Sequence, residues 1–451
     1  MKIVIIGAVA AGTSAATEAR RNSKEAEIKI FEADSDISYA GCGLPYYIGN
    51  LIGKRSELVP RDAAYFKRKH NVDVYTGHRV TKIYPDEKII DVLNMAASET
   101  FSESYDKLVI ATGAIPFVPP LAGSDKDNVF PLRTAGDADE IREFIQDERP
   151  KTAVIVGTGF IGLEMAENLA ARGINITLVE LAPQVMTALD SDMASYIEEH
   201  LRQQKVKVIT GDSVVSLEGK NLVQKAILKS GRELLADMVI MAVGIKPNVA
   251  LAKEAGIELG VTGAIAVNKS LETSVKDIYA CGDCAESYSI ITGKSFYRPL
   301  GSTANKMGRV VGEQAAGGSL KFHGGLGTGI FRVFELAVAQ TGLTEKEALK
   351  EGLEVVAVKD VRMDKPGYCE GEKMIIKTIA DKKTGRLLGA QIIGKEGVDK
   401  RIDVVATAIT FGAKAEDLMH IDLAYAPPFS TARDPLMYSG ILLDKALKKQ
   451  E

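Results

Sequence analysis

The stretch "KTAVIVGTGFIGLEMAENLAARGINITLVE", residues 151–180, decides the fold. A β-branched apolar run stops at a glycine turn, a helical stretch follows, and a second apolar run ends at Glu180. A strand covered by helices on both faces reads as such a continuous apolar run. Gly157, Gly159 and Gly162 form a G-x-G-x-x-G turn, and Glu180 lies 18 residues past Gly162. The first glycine makes the tight turn, the second lets a pyrophosphate approach the backbone, and the third packs helix on strand. The helix N-terminus then favours the anion. Glu180 suits a ribose 2′-hydroxyl and repels a 2′-phosphate, and no Arg or Lys follows in "VELAPQV". The dinucleotide expected here is therefore NADH, with NADPH second.

The same grammar opens the chain. "KIVIIG" is a buried-strand run, a Gly/Ala turn follows, a helix is predicted over 12–22, and "EIKIFE" is the next strand. The turn is less regular, with Gly7 and Gly12 in place but Val9 at the middle position; Glu32, 20 residues past Gly12, supports it. Two dinucleotide folds in one chain suggest two cofactors, and a flavin beside a nicotinamide is the common pairing for hydride relay. "YDKLVIATGAIPFVPPLAG" and "ADMVIMAVGIKPN" repeat a strand-into-glycine pattern, and "DIYACGDCAES" adds another short strand. From about 323 the texture changes to antiparallel alternation, with a turn at Lys383–Gly385 and helical segments at 344–351 and 398–413.

The expected fold is α/β, with two Rossmann-like dinucleotide-binding domains, the first interrupted by the second in a succession that resembles the glutathione-reductase fold, and a C-terminal α+β domain. The expected boundaries are 1–114 with 240–322 for a discontinuous FAD-binding domain, 115–239 for the NAD(P)H-binding domain, and 323–451 for the C-terminal domain.

Bulk composition excludes several classes. The 451 residues carry 56 basic and 60 acidic side chains without like-charge blocks, which is no nucleic-acid surface. No run approaches a membrane span of roughly 18 apolar residues. The apolar start continues into a charged helix, so it reads as a buried strand rather than a signal peptide. Four cysteines are too few for a disulfide scaffold and fit a reducing compartment, the cytoplasm. No metal site is expected.

Cys42 lies between two glycines in "SYAGCGLPYYIG", residues 38–49, ahead of a helix expected near Gly43–Leu44. A helix N-terminus stabilises a thiolate. A dithiol relay would need a second cysteine at C-x-x-x-x-C, where Tyr47 stands; Cys281, Cys284 and Cys369 are out of local reach. None of the five histidines falls in the last 31 residues, where dithiol reductases keep their acid–base His. Cys42 is therefore expected to work as a single thiol, through a sulfenate or a mixed disulfide with an external group. The alternative is a buried, inert cysteine.

"SYAGCGLPYYIG", "LVIATGA", "VGTGFIGLEMAENL", "YACGDCAE" and "DLAYAPPFSTARDP" together resemble the single-cysteine branch of the flavin pyridine-nucleotide disulfide oxidoreductases, over essentially the whole chain. That branch includes coenzyme A disulfide reductases, NAD(P)H per- and polysulfide reductases, NADH oxidases and NADH peroxidases. The resemblance implies that Gly7, Gly12 and Glu32 hold the FAD adenosine diphosphate, that Ala111, Thr112 and Gly113 pass near the cofactor, and that Asp283 binds its ribityl–phosphate portion. It implies NADH at Gly157, Gly159, Gly162 and Glu180, with Glu164 near the nicotinamide–flavin stack. It also implies a homodimer in which "YAPPFS" reaches the partner's active site, Phe429 near the flavin and Tyr425 near Cys42.

Within the branch, peroxidases and oxidases carry a His in the first Gly-rich turn; here that position is Ala10, which is similar to the coenzyme A reductase version. Coenzyme A would then be substrate or bound ligand, contacted by Arg21 or Arg20, Ser38, Asn305, Tyr425 and Tyr368. Arg20 and Arg21 could meet its phosphates or simply finish a helix. Cys369, beside Tyr368, reads as an inert thiol. Some members add a C-terminal rhodanese domain; the chain runs to Glu451, so a persulfide is expected to come from outside. The implied activity is FAD-dependent reduction of coenzyme A disulfide, coenzyme A persulfide or polysulfide through Cys42. The alternatives are an NADH oxidase cycling Cys42 through sulfenate, and a flavin-based redox sensor.

Overall fold

In the computed structural model, which describes residues 1–449, the two β-branched runs are the central strands of two parallel sheets. In the first, Lys2–Ile6 lies between Glu27–Phe31 and Lys107–Ile110, with Asp73–Tyr75 and Ile278–Ala280 outermost. In the second, Thr152–Val156 lies between Asn175–Glu180 and Met238–Met241, with Lys207–Thr210 and Val129–Pro131 outermost. Ile3, Val4 and Ile5, and likewise Val154 and Ile155, are wholly buried, as strands covered on both faces must be.

The chain divides into two compact units. Residues 1–117, 132–143 and 244–325 build one around the first sheet; residues 118–131, 144–243 and 326 onward build the other around the second sheet and the C-terminal sheet. The C-terminal sheet is antiparallel, in the order Gly329–Val333, Leu336–Gly342, Leu387–Gly394, Lys373–Asp381, Val355–Met363. Its turn after Asp381 has Gly385 at φ +72°.

Helix boundaries depart from expectation for local reasons. The first helix spans Ala10–Asn22 rather than 12–22, because Gly12 belongs to its first turn and lets it press on the strand end. The helix expected over 398–413 is Val398–Thr410, closed before Gly412 at φ +77°. Thr344 stays outside the helix Glu345–Lys350 as its cap, accepting from the Glu347 N–H in a capping box.

Inside the second unit, Lys377 of the C-terminal sheet is 6% exposed and meets Glu345 at 2.7 Å, Asp192 at 2.9 Å and Asp190 at 3.2 Å. A buried cation needs such partners, and these tie the sheet to the start of the helix Ser191–Gln203. Among the described residues no helix is long and apolar enough to cross a membrane.

Candidate active site

The first Gly-rich turn is shaped by backbone contact. A Cβ on Gly7, at φ +104°, would lie 2.3 Å from the Ala111 carbonyl oxygen, and one on Gly12 would lie 1.9 Å from the Gly7 carbonyl oxygen. Only glycine permits either approach. The Glu32 carboxylate accepts the Ala8 N–H at 2.7 Å and the Asp34 N–H at 3.0 Å. Burial raises its pKa against the pull of those two N–H groups. A Gly turn, a helix N-terminus and an acidic group at the end of the second strand thus converge, the donor set that an adenine dinucleotide requires.

Ser38, in the left-handed region at φ +52°, donates its N–H to the Ala8 carbonyl at 2.8 Å, so the cysteine loop is pinned to this turn. Exposed Cys42 is the centre of a single 3-10 turn, Gly41–Gly43, that runs into the short helix Leu44–Ile48. Gly43 is closely packed: a Cβ would lie 3.0 Å from the Leu58 side chain and 3.1 Å from the Ile52 side chain, so both would have to give by a few tenths of an ångström. At the place of a second redox thiol, Tyr47 is buried. Its hydroxyl donates to Asp139 at 2.9 Å, and the Arg142 guanidinium lies 3.9 Å from its ring centre. Arg55 bridges Asp139 and Asp36, bracing the same short helix. Among the described residues there is no disulfide.

Asp283 follows Gly282, which is at φ +77° where a Cβ would strike Ala11 at 2.8 Å. The Asp283 carboxylate pairs with Arg133 at 3.1 Å, and Arg133 lies 3.2 Å from the space a Gly113 side chain would need. The Tyr297 hydroxyl donates to the Asp283 carbonyl at 2.9 Å. The Tyr39 hydroxyl donates to the Arg133 carbonyl at 3.3 Å, and burial pushes Tyr39 up to about 12. Thr112 joins the group, donating to the Asn248 carbonyl at 2.7 Å. Arg133 had no signal in the sequence beyond its charge. Cys281 and Cys284 are wholly buried, and burial raises both thiols. Neither is a nucleophile candidate.

Beside this turn the first helix meets the helix Gly301–Ala315 backbone to backbone: a Cβ on Gly308 or Gly312 would lie 2.3 Å from the carbonyl oxygens of Ala11 and Ala15. The close seam brings Ser14 to Asn305, Oγ to Oδ1 at 2.6 Å, and puts Glu18 between Arg21 at 2.9 Å and Arg309 at 3.9 Å. His70 lies near enough to feel more cations: burial lowers its pKa, and Arg21, Lys69 and Arg61 lower it further. Arg21 and Arg309 are exposed, so the seam presents positive charge to solvent.

Arg20 corrects an expectation. Its guanidinium donates to the carbonyls of His70, Ser23, Lys24, Ala26 and Asn71. All five N–H groups are consumed in closing the helix end and its neighbouring loop, so none is left for a phosphate. Of the arginine pair, Arg21 alone stays with the seam.

The second unit carries the complete glycine motif. Gly157, at φ +99°, sits where a Cβ would lie 2.4 Å from the Ala242 carbonyl oxygen, and a Cβ on Gly162 would lie 2.1 Å from the Gly157 carbonyl oxygen. Gly159 faces open space at the N-terminus of the helix Phe160–Ala171, which is where a pyrophosphate needs the backbone bare. The Glu180 carboxylate accepts Thr158 N–H at 2.9 Å, Thr158 Oγ1 at 2.7 Å and Ala182 N–H at 2.9 Å. Glu164 follows on the same helix, its carbonyl accepting from Asn168 at 2.8 Å.

Two loops of the same unit expose large aromatic side chains, Tyr368 at 78% on one and Tyr425 at 52% with Phe429 at 71% on the other. Tyr368 tips a loop closed at its base by Asp364 and Glu372, whose backbones bond at 2.9 Å.

Comparison with known proteins agrees with this geometry. Residues 1–308 match the family described as pyridine nucleotide-disulphide oxidoreductase, and residues 330–436 match its dimerisation domain. The chain is 39% identical over 449 residues to an NAD(P)H sulfur oxidoreductase (CoA-dependent) from Pyrococcus furiosus, covering 99% of each. It is 36% identical over 450 residues to an NADH oxidase from Methanocaldococcus jannaschii, covering 100% of this chain and 99% of that one. The crystal structure of reduced Bacillus anthracis CoADR-RHD superposes with a TM-score of 0.97 at 40% identity, over 99% of this chain and 81% of that one. With two glycine-built dinucleotide turns and a dimerisation domain in one chain, this protein belongs to the pyridine nucleotide-disulphide oxidoreductase family and is a flavoprotein oxidoreductase that uses FAD and NAD(P)H.

Proposed function

We propose that the chain is an NADH-preferring reductase of coenzyme A disulfide, coenzyme A persulfide or polysulfide, acting through Cys42 as its one redox thiol in a cytoplasmic homodimer. The observation that carries this is that one helix, Ala10–Asn22, joins the two features: it starts at the glycine turn to which Ser38 pins the exposed cysteine loop, and it carries exposed Arg21, with Arg309 alongside, at its far end. A sulfur-chemistry site at one end of that helix and exposed arginines at the other suit a thiol carried on a phosphorylated nucleotide. The sulfur oxidoreductase relative and the CoADR-RHD structure support the same substrate class.

In this reading residues 1–114 and 240–322 hold FAD through Gly7, Gly12, Glu32, Ala111, Thr112, Gly113 and Asp283, with Arg133 orienting the Asp283 carboxylate. Residues 115–239 hold NADH through Gly157, Gly159, Gly162 and Glu180, with Glu164 toward the reacting end. Residues 323–451 form the dimer, and Tyr368, Tyr425 and Phe429 serve the partner's site. When bound, FAD supplies the two-electron link between NADH and sulfur. Cys42 thiolate attacks the S–S bond of the acceptor, forming a mixed disulfide or persulfide and releasing one thiolate. The electron pair from NADH then breaks that new bond, and a proton completes the second thiol or sulfide. Cys42 returns as thiolate. Ser38, Asn305, Arg21 and Arg309 orient the coenzyme A portion, and Tyr425 with Tyr368 offers a hydroxyl proton to the leaving sulfur.

The test is NADH consumption by the FAD-loaded enzyme with coenzyme A disulfide, polysulfide or O2 as sole acceptor, for wild type and Cys42→Ser. Turnover with a sulfur acceptor that Cys42→Ser abolishes is expected. Unchanged sulfur turnover in Cys42→Ser would overturn the reading. The NADH oxidase relative favours a second reading, O2 reduction with Cys42 cycling through sulfenate; turnover with O2 alone would select it.

A further inference from the structure

The two aromatic-bearing loops of the second unit share one anchor. Arg401, on the helix Val398–Thr410, is 1% exposed and is the largest fully buried side chain. Its Nη2 donates to the Asp364 carbonyl at 3.0 Å, at the base of the Tyr368 loop. The same Nη2 reaches Ser430 Oγ at 3.1 Å and Asp434 Oδ2 at 2.9 Å, and Nε reaches Asp434 Oδ1 at 3.1 Å, on the segment just after Phe429. Its Nη1 donates to Gly397 within its own helix start, at 3.1 Å. Ser430 in turn donates to Asp434 at 2.7 Å, and neighbouring Lys400 holds the Phe429 carbonyl at 2.9 Å. Ser430 and Phe429 also close back on the Ala426 carbonyl, which fixes the run beginning at Tyr425.

Replacing a buried ion pair by well-packed apolar residues is often neutral or stabilising, so such a pair is weak evidence for stability. Its physical yield is geometric. A guanidinium fork has fixed donor directions, and here it dictates the spacing between two loops that are separate in sequence. We propose that Arg401 is a positioning residue that holds the Tyr368 loop and the Tyr425–Phe429 loop in one register. It thereby sets the rate of the sulfur-acceptor half-reaction, a role that rests on the reading above in which these loops serve the partner's Cys42.

The test separates the two half-reactions of the FAD-loaded dimer. Flavin reduction by NADH is followed by stopped-flow absorbance, and acceptor turnover by steady-state NADH consumption. Arg401→Lys keeps the charge and loses the fork. It is expected to leave flavin reduction within about twofold of wild type and to lower kcat with the sulfur acceptor by about 10- to 100-fold, the scale for a misplaced reacting group. Ser430→Ala removes the hydroxyl's two bonds, to Arg401 and to Asp434, while keeping the rest of the fork, and should lower kcat by about two- to tenfold, again without touching flavin reduction. Tyr425→Phe and Tyr368→Phe are measured alongside. Wild-type kcat in both Arg401→Lys and Ser430→Ala, with a loss in either tyrosine variant, overturns the positioning role and leaves the functional reading intact. So does a parallel fall of flavin reduction, melting temperature and kcat in Ser430→Ala. Wild-type kcat in both tyrosine variants instead removes the loops' part in the reaction, and the inference falls with it.

Discussion

A Cβ on Gly308 would lie 2.3 Å from the carbonyl oxygen of Ala11. That distance measures how closely two helices approach, and the residues flanking the contact, Ser14, Glu18, Asn305 and Arg309, meet because of it. Gly308→Ala must push the helices apart. It is expected to destabilise the protein by at least about 1–3 kcal/mol, the usual cost of overpacking, read as a lower denaturation midpoint at unchanged slope. The altered seam should also raise KM for the coenzyme A substrate while leaving polysulfide turnover alone.

Arg20 and Arg21 are sequence neighbours with opposite fates. Arg21→Ala and Arg309→Ala should each raise KM for coenzyme A disulfide by about 10- to 100-fold, the scale of a charge-assisted hydrogen bond, with the effect shrinking at high salt. Arg20→Ala should lower thermal stability and leave KM near wild type, since its donors all serve carbonyls.

In the proposed reading Glu180 discriminates between the nicotinamide cofactors. Glu180→Gln removes the negative charge and keeps one oxygen for the two Thr158 donors, while its amide NH2 replaces the oxygen that accepts the Ala182 N–H, a loss that weighs on both cofactors alike. The ratio of kcat/KM for NADPH to that for NADH should rise by about tenfold, close to 1.4 kcal/mol, as repulsion of the 2′-phosphate is relieved. An unchanged ratio would mean that the preference is set elsewhere.

Acid should loosen the Arg401 anchor. Burial works to raise the Asp434 pKa, but Arg401, the Leu436 N–H and Ser430 outweigh it and hold the carboxyl below its ordinary 3.8. A depressed carboxyl contributes stability that is present above the ordinary value and is lost as pH falls through the folded one. Thermal stability should therefore decline below about pH 4, with Asp192, depressed by Lys377 against its own burial, contributing in the same window. Asp434→Asn should flatten that decline and lower stability at neutral pH.

The parallel sheets and both glycine turns were legible because their signals are local: continuous β-branched runs, and glycines whose spacing reports positive φ or backbone contact. Gly7, Gly157, Glu32 and Glu180 are of this kind. The seam was legible only in part. Asn305 and Arg21 came from resemblance, while Arg309 and Ser14 depend on two helices meeting across more than 290 residues of chain. Gly308 and Gly312, spaced by four in "NKMGRVVGEQ", could have announced a helix face with backbone contact, but glycines inside a helix read first as breakers. Arg20 stood open between a phosphate contact and a helix finish for a related reason: a charge at a helix end looks the same whether its donors face solvent or carbonyls folded back from residues 70 and 71. Arg401 carries no periodic or motif signal, since its partners come from three separate stretches.

Tyr47, clamped by Asp139 and Arg142, occupies the place from which a neighbouring sulfur could have closed a ring on Cys42. Lacking that local way to discharge, an oxidised Cys42 would keep atoms taken from whatever it last met. Each oxidation state would then weigh differently, and a protein recovered from cells would carry, on one side chain, a chemical memory of its own acceptor.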